Sequence, residues 1–205
     1  MTPEYWKQAT QALSTRDVTM RQIIRQFDGA TLNSRGNAFT TLARSIVGQQ
    51  ISVKAAESVW QKVLIALTDV TPHNITCTDK NLLRNCGLSH RKITYLQDLA
   101  RHFMNGTLNE ATWEEMDDEA LIIQLTQVKG IGRWTAEMFL IFHMLRPDVL
   151  PLDDIGLQRA ISLHYNDNKP MDKKTIYQVA KAWQPWRSVA TWYLWRSLDP
   201  VPVEY

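Results

Sequence analysis

Apolar residues recur along most of the chain at the spacing of one face of an α-helix. The clearest stripe has i, i+3, i+4, i+7 spacing and comprises Ile176, Val179, Ala180 and Trp183. Sustained alternation of apolar and polar positions is absent, and no Asn-Gly or Asp-Gly turn lies between two β-branched runs. The pattern therefore predicts an all-α protein with nine or ten helices.

Capping residues and prolines mark the ends of the predicted helices. Thr2 and Pro3 predict the start of a helix that runs towards Phe27. Ser52 is a predicted N-cap, and the helical stretch that begins there is predicted to end at Pro72. Further helices are predicted over residues 37–47, 79–85, 89–103, 117–127, 134–145, 154–164 and 186–198. Residues 134–145 are apolar nearly all round, which indicates a buried helix.

The composition is typical of a globular protein and excludes several classes. The chain has 205 residues, 44% of them hydrophobic and 21% charged, which excludes collagen-like and disordered chains. We expect no membrane span, because no apolar stretch is long enough to cross a bilayer. We expect no secretory signal, because the N-terminus lacks a basic region followed by an apolar one, and we therefore expect a cytoplasmic location. Two cysteines cannot form a four-cysteine zinc or iron–sulfur site, and we expect neither a metal nor a cofactor.

The net charge of +2 conceals an uneven distribution of charge. Six acids fall in one short segment without a base, namely Glu110, Glu114, Glu115, Asp117, Asp118 and Glu119. The rest of the chain therefore has 23 basic and 15 acidic residues. A basic surface that binds a polyanion is one interpretation, and a merely solvated acidic segment is the other.

Tryptophan is unusually frequent, with eight residues in the chain and four of them between Trp183 and Trp195. Clustered tryptophans are most often core residues. A stacking surface for nucleic-acid bases is the alternative.

The segment Lys129-Gly130-Ile131-Gly132-Arg133 predicts a tight turn between two helices. Glycine allows a ligand or another backbone to approach closely, and the second helix begins with unsatisfied N–H groups at the positive end of its dipole. Such a terminus can bind a phosphate, and Lys129 and Arg133 would add positive charge. An ordinary helix–helix turn is the alternative.

Two adjacent acids, Asp153 and Asp154, stand at a predicted helix start after a proline-rich loop. Capping of the helix is the simpler interpretation. A carboxylate held at a helix N-terminus can also stabilise a sugar cation or orient a water, as cleavage of a glycosidic bond requires.

These motifs together resemble the helix-hairpin-helix DNA glycosylase superfamily, and within it the DNA-3-methyladenine glycosylase II family. The segments that carry the resemblance are 130–136, 153–154, 46–56 and 183–195, in the family's order and spread over about residues 36–198. The resemblance implies a two-lobed helical fold with an active-site cleft between a lobe of about 36–145 and a lobe of about 1–35 plus 146–205.

The resemblance also implies roles for individual residues. Asp154 matches the catalytic aspartate. Asp153, its neighbour, is a candidate for capping the helix. Gly130 and Gly132 match the phosphate-binding hairpin. Gln50 matches the side chain that fills the gap left by a flipped base, with Gln49 and Ile51 as neighbours.

Four further residues match positions of the base pocket. Trp134 and Trp195 match aromatic positions, whereas Ile155 and Met138 stand where some members carry aromatic side chains. In relatives that also cut the DNA backbone, a lysine follows the Gly-x-Gly-Arg turn. Trp134 occupies that position here, so no Schiff base with the sugar is expected.

The sequence therefore predicts a monofunctional, monomeric glycosylase that removes alkylated purines, of the 3-methyladenine type, from double-stranded DNA. A cationic base would leave readily and would attract tryptophan by a cation–π interaction. A glycosylase for another damaged or mispaired base and a non-catalytic DNA-binding module are the alternatives.

Overall fold

The computed structural model describes residues 2–34 and 36–199, and within these ranges helices are the only regular elements, as predicted. The α-helices are α1 (Trp6–Arg16), α2 (Val18–Gln26), α3 (Ala38–Gly48), α4 (Val53–Leu67), α5 (Pro72–Cys77), α6 (Lys80–Asn85), α7 (His90–Met104), α8 (Asp118–Leu125), α9 (Arg133–Phe142), α10 (Ile155–Tyr165), α11 (Lys173–Ala180) and α12 (Arg187–Leu198). Two 3-10 helices cover Glu110–Glu115 and Lys181–Trp183.

Short polar side chains determine where most of these helices begin. In the described part of the chain, nine α-helices start at a residue whose side chain accepts a backbone N–H of the first turn, namely Asp17, Asn37, Ser52, Thr71, Asp79, Ser89, Asp117, Asp154 and Asp172. Each such cap contributes about 0.5–2 kcal/mol. The predicted cap at Ser52 is confirmed.

The predicted number of nine or ten helices is too low, since the described part of the chain has twelve α-helices, and two predicted boundaries are wrong. The single helix expected up to Phe27 is two helices, because Asp17 adopts an extended conformation and caps α2. Asp17 also accepts hydrogen bonds from the hydroxyl of Tyr165 (2.7 Å) and the indole of Trp183 (3.0 Å), which hold the break in place. Pro72 does not end a helix but begins α5, where its missing N–H costs nothing.

The described chain divides into two compact units. Unit 1 takes residues 2–34 and 140–199, and unit 2 takes residues 36–139, so that the division falls inside α9. None of the helices in the described ranges is long and apolar enough to cross a membrane.

A row of aromatic rings forms part of the core of unit 2. Phe39, Phe103, Trp113 and Phe139 contact one another in sequence, edge to face, with ring centroids 5.3, 6.1 and 5.5 Å apart. Trp113 is fully buried, and its indole N–H donates to Gln124 at 2.9 Å. This row joins α3 and α7 to the helices on either side of the glycine turn.

Helix α12 is the centre of unit 1, where it packs against α1, α2 and α10. Trp192 on α12 meets Trp6 of α1 edge to face at 5.2 Å. Trp192 and Trp183 are both buried, so the interpretation of the tryptophan cluster as core is confirmed for these two.

Candidate functional site

The turn between α8 and α9 contains two glycines in different situations. Gly130 has a φ of +87°, which side chains disfavour. A Cβ at this position would lie 2.1 Å from Cδ2 of Tyr95, because the tyrosine ring occupies that space. Backbone conformation and packing therefore both require glycine at position 130.

Gly132 is exposed and immediately precedes α9. Its φ lies outside the left-handed region, and a Cβ here would meet no described atom within 4 Å. The fold itself therefore does not require glycine at this position. What the glycine does provide is a main chain that a ligand can approach closely at the N-terminus of a helix.

Buried and half-buried side chains hold this turn from two directions. The carboxylate of Asp98, which is only 7% exposed, accepts the backbone N–H of Lys129 at 2.9 Å and the guanidinium of Arg101 at 2.8 Å. Nε2 of Gln49 donates to the carbonyl of Gly130 at 2.7 Å. Sequence reasoning missed Asp98 and Tyr95, since neither stands in a motif and both act only through the fold.

Arg133 is held by two carboxylates. Its guanidinium forms a bidentate pair with Glu119 (2.8 and 2.7 Å), and its Nε donates to the buried Glu137 at 3.1 Å. The hydrogen bond from Arg133 lowers the pKa of Glu119, and the same bond raises the pKa of Arg133. One member of the acidic segment therefore balances the charge beside the turn, and contact between Arg133 and DNA stays a prediction.

The segment that matches the family's inserted side chain lies between α3 and α4. Gln50 is exposed and has a φ of +60°, an unusual conformation for a residue other than glycine. Ile51 is also exposed. Of the three predicted residues, Gln49 is hydrogen-bonded to the glycine turn, whereas Gln50 and Ile51 are exposed.

Asp154 is fixed by two hydrogen bonds to a single oxygen. Its Oδ1 accepts the backbone N–H of Leu157 at 2.6 Å and the indole N–H of Trp195 at 2.7 Å. The first bond caps α10, and the second joins α10 to α12. The side chain is half-buried, so its orientation is set by the fold while it keeps access to solvent.

Trp195 is itself held in place. Its ring stacks on Phe142 with centroids 5.7 Å apart and an interplanar angle of 12°. A Cβ on Gly156 would lie 3.1 Å from Oδ1 of Asp154 and 3.3 Å from Cδ1 of Trp195, so a glycine at this position lets the indole reach the carboxylate. Gly156 is a further site residue that the sequence analysis missed, although its place two residues after the acid was visible.

Asp153 does not take the capping role that was open to it. Its carboxylate pairs with the ammonium of Lys173 at the start of α11, and both side chains are exposed. Asp154 is the cap instead, because it directly precedes α10 and has the extended backbone conformation of an N-cap residue.

The proline-rich loop before Asp154 is tied to α12. Arg187 forms a bidentate pair with Asp148, at 2.7 and 2.9 Å. The hydroxyl of Ser188 accepts the backbone N–H of Val149 at 2.9 Å, and its own N–H donates to the carbonyl of Pro147. Helix α12 thus holds the loop through its first turn and Asp154 through Trp195.

The other residues predicted for the base pocket differ in exposure. In unit 2, Trp134 is 37% exposed and Met138 is 4% exposed. In unit 1, Ile155 is 79% exposed and Trp195 is half-buried. Their contact with a flipped base stays a prediction. The described residues contain no group of three or more potential ligands that could hold a metal ion.

Comparison with known proteins identifies a family model that matches residues 43–185, described as the HhH-GPD superfamily of base excision DNA repair proteins. The DNA-3-methyladenine glycosylase 1 of Schizosaccharomyces pombe is 35% identical over 165 residues, which are 78% of this chain and 72% of that protein.

Two solved structures resemble the chain over most of its length. A DNA-3-methyladenine glycosidase from Bacillus halodurans is 34% identical with a TM-score of 0.85, over 93% of this chain and 89% of that one. The 3-methyladenine DNA glycosylase of Schizosaccharomyces pombe, in complex with abasic DNA, is 31% identical with a TM-score of 0.78, over 93% of this chain and 96% of that one.

The different situations of the two glycines predict different effects on stability. Gly130→Ala should lower the free energy of unfolding by at least about 2 kcal/mol, because it adds backbone strain of about 1–3 kcal/mol and displaces the ring of Tyr95. Gly132→Ala should cost at most about 1 kcal/mol, as a change of residue at a helix start. Urea unfolding of the two variants measures the difference, and equal stabilities would contradict these assignments.

Proposed function

This chain belongs to the HhH-GPD superfamily of base excision DNA repair proteins, and from that premise we propose that it hydrolyses the N-glycosidic bond of alkylated purines in double-stranded DNA. The product is an abasic site, and the relative whose structure contains abasic DNA supports this assignment. The observation that carries the proposal is the carboxylate of Asp154, held at the start of α10 by Leu157 and Trp195.

Asp154 is the proposed catalytic residue. As the bond between the sugar and the base breaks, positive charge develops on the sugar ring, and a carboxylate beside it stabilises that charge. A water then adds to the sugar carbon, and the proton that it loses passes to the solvent. The backbone N–H of Leu157 and the indole N–H of Trp195 both donate to Oδ1, so they orient the carboxylate before the substrate arrives.

The nature of the leaving base limits what the protein must supply. Alkylation of a purine ring nitrogen makes the base cationic, so that it leaves as a neutral molecule with little help from an acid. A cation also attracts the faces of tryptophan rings, by about 0.5–2 kcal/mol. Trp134 is the most exposed of the predicted pocket aromatics, and it is the proposed partner for such a contact.

The turn at Gly130 and Gly132 is the proposed DNA-binding element. A phosphate oxygen can approach the main chain at Gly132, where no side chain intervenes, and accept N–H groups at the start of α9. We propose that the protein acts as a monomer. We also propose that it acts in the compartment that contains the DNA, which in a bacterial cell is the cytoplasm.

The catalytic assignment predicts unequal effects of the two adjacent acids. Asp154→Asn should slow release of an alkylated base by at least about 100-fold, because it removes the charge that stabilises the transition state. Asp153→Asn should change the rate only slightly, since its exposed pair with Lys173 contributes little. Single-turnover assays on a duplex with one alkylated purine measure both rates.

Binding to a duplex with an abasic-site analogue is the control, because Asp154→Asn should retain it. Loss of activity in Asp153→Asn with normal turnover in Asp154→Asn would show that the wrong acid has been assigned.

We further infer that the protein lacks lyase activity. Trp134 supplies no amine after the turn, and Lys173 is paired with Asp153. Borohydride added during turnover should therefore leave no protein covalently attached to DNA, as judged by denaturing electrophoresis. Alkali cleavage of the same DNA verifies that abasic sites have formed, and an efficiently trapped adduct would refute the inference.

A further inference from the structure

Unit 2 contains a cavity of about 370 Å³ beside the glycine turn. Gly130 contributes main chain to its wall, and the side chains that line it are those of Gln49, Gln50, Ser89, Arg91, Lys92 and Tyr95. The cavity thus lies next to the proposed phosphate-binding position at Gly132, because only Ile131 separates the two glycines in the chain. None of its cationic side chains has a role in the function proposed so far.

Several contacts fix the walls of this cavity. Gln49 is bonded to the carbonyl of Gly130, and the ring of Tyr95 lies in the space beside that glycine. Nζ of Lys92 donates to the carbonyl of Val47, near the end of α3, at 2.7 Å. The cavity is therefore formed by the fold in the absence of a ligand.

The chemistry of the lining favours an anion. It includes two cations, Arg91 and Lys92, and no carboxylate. Burial lowers the pKa of Lys92, so an anion beside it would compensate for the desolvation of its charge. In contrast to Arg133, Arg91 takes part in none of the ion pairs found within residues 2–34 and 36–199.

The lining fits a phosphate better than a nucleobase. A base needs a flat apolar face together with both donors and acceptors. Here the face of Tyr95 lies against Gly130, whereas the cationic side chains offer donors that match phosphate oxygens. Phosphate contacts by arginine and lysine position a protein on DNA without reading its sequence.

We propose that this cavity binds a second DNA phosphodiester, separate from the phosphate at Gly132, with Arg91 and Lys92 as its main ligands. The inference rests on the proposed function, since it takes the ligand to be duplex DNA. Gln50, which matches the family's inserted side chain, also lines the cavity, so a phosphate here would anchor the DNA backbone beside the point of insertion.

The salt dependence of DNA binding tests this proposal. Each phosphate neutralised contributes about 0.9 to the slope of log affinity against log salt concentration. Arg91→Gln should therefore lower the slope by about 0.9, which reduces the loss of affinity between 50 and 200 mM potassium chloride by about 3.5-fold. Fluorescence anisotropy with undamaged and abasic-analogue duplexes should give the same change, because the contact carries no base information.

Lys80→Gln is the matched control, since it removes an equal charge from an exposed position of unit 2 that does not line the cavity. Lys80→Gln should leave the slope at the parent value. Its rate of base release should also equal that of the parent protein. Circular dichroism and the unfolding midpoint verify that Arg91→Gln is folded. A folded Arg91→Gln with the parent slope would overturn the proposal.

A double variant distinguishes one phosphate from two. Gly132→Val should itself lower the slope by about 0.9, because its side chain blocks the approach of a phosphate. In the double variant with Gly132→Val and Arg91→Gln, the slope should fall by about 1.8 if the two phosphates are separate. A combined loss no greater than that of one variant would show a single shared phosphate and refute the second site.

The outcome is separable from that of the proposed function. If the parent protein releases alkylated bases and Arg91→Gln keeps the parent slope, the cavity proposal fails and the function stands. If the parent binds duplex DNA with the expected slopes but releases no base, the cavity proposal stands and the glycosylase function fails.

Discussion

The proposed chemistry depends on one carboxylate oxygen that accepts two N–H donors. Oδ1 of Asp154 receives the backbone N–H of Leu157 and the indole N–H of Trp195, and these bonds determine where α10 begins and how it is joined to α12. Gly156 leaves room for this arrangement, because a Cβ there would lie 3.1 Å from Oδ1 of Asp154 and 3.3 Å from Cδ1 of Trp195. The arrangement also needs the proline-rich loop, which α12 holds through Arg187 and Ser188. The carboxylate is thus oriented by the core of unit 1 and does not depend on a bound substrate for its position.

In unit 2, packing fixes the conformation of the glycine turn, which is the proposed phosphate-binding element. Gly130 is required by its φ and by Tyr95, while Asp98 and Gln49 bind the main chain of the turn on either side. Gly132 has no such internal reason to be glycine. Charge near the turn is balanced as well, since Glu119 and Glu137 hold Arg133. A count of basic residues therefore overstates the positive charge that this surface offers to DNA, and it does not distinguish Arg133 from Arg91.

The helical class and most helix starts could be predicted from the sequence, because they depend on local signals. The candidate acid, Asp154, was singled out by the resemblance to a family. Ser52 was predicted as a cap, and the predicted helix starts at residues 117 and 154 coincide with the caps Asp117 and Asp154. The break at Asp17 was missed because its partners, Tyr165 and Trp183, are far away in sequence. The roles of Asp98 and Gly156 were missed for the same reason, since each depends on a contact that exists only after folding. The residue types at the site were predictable, whereas the contacts that position them were not.

Chromatography of the bases released from methylated duplex DNA tests the central claim most directly. The claim is that this chain, with Asp154 held at the start of α10, removes alkylated purines by hydrolysis. The parent protein should release free methylated purines into the soluble fraction and leave abasic sites in an unbroken backbone. A folded protein that binds the methylated duplex and releases no free base would contradict the account.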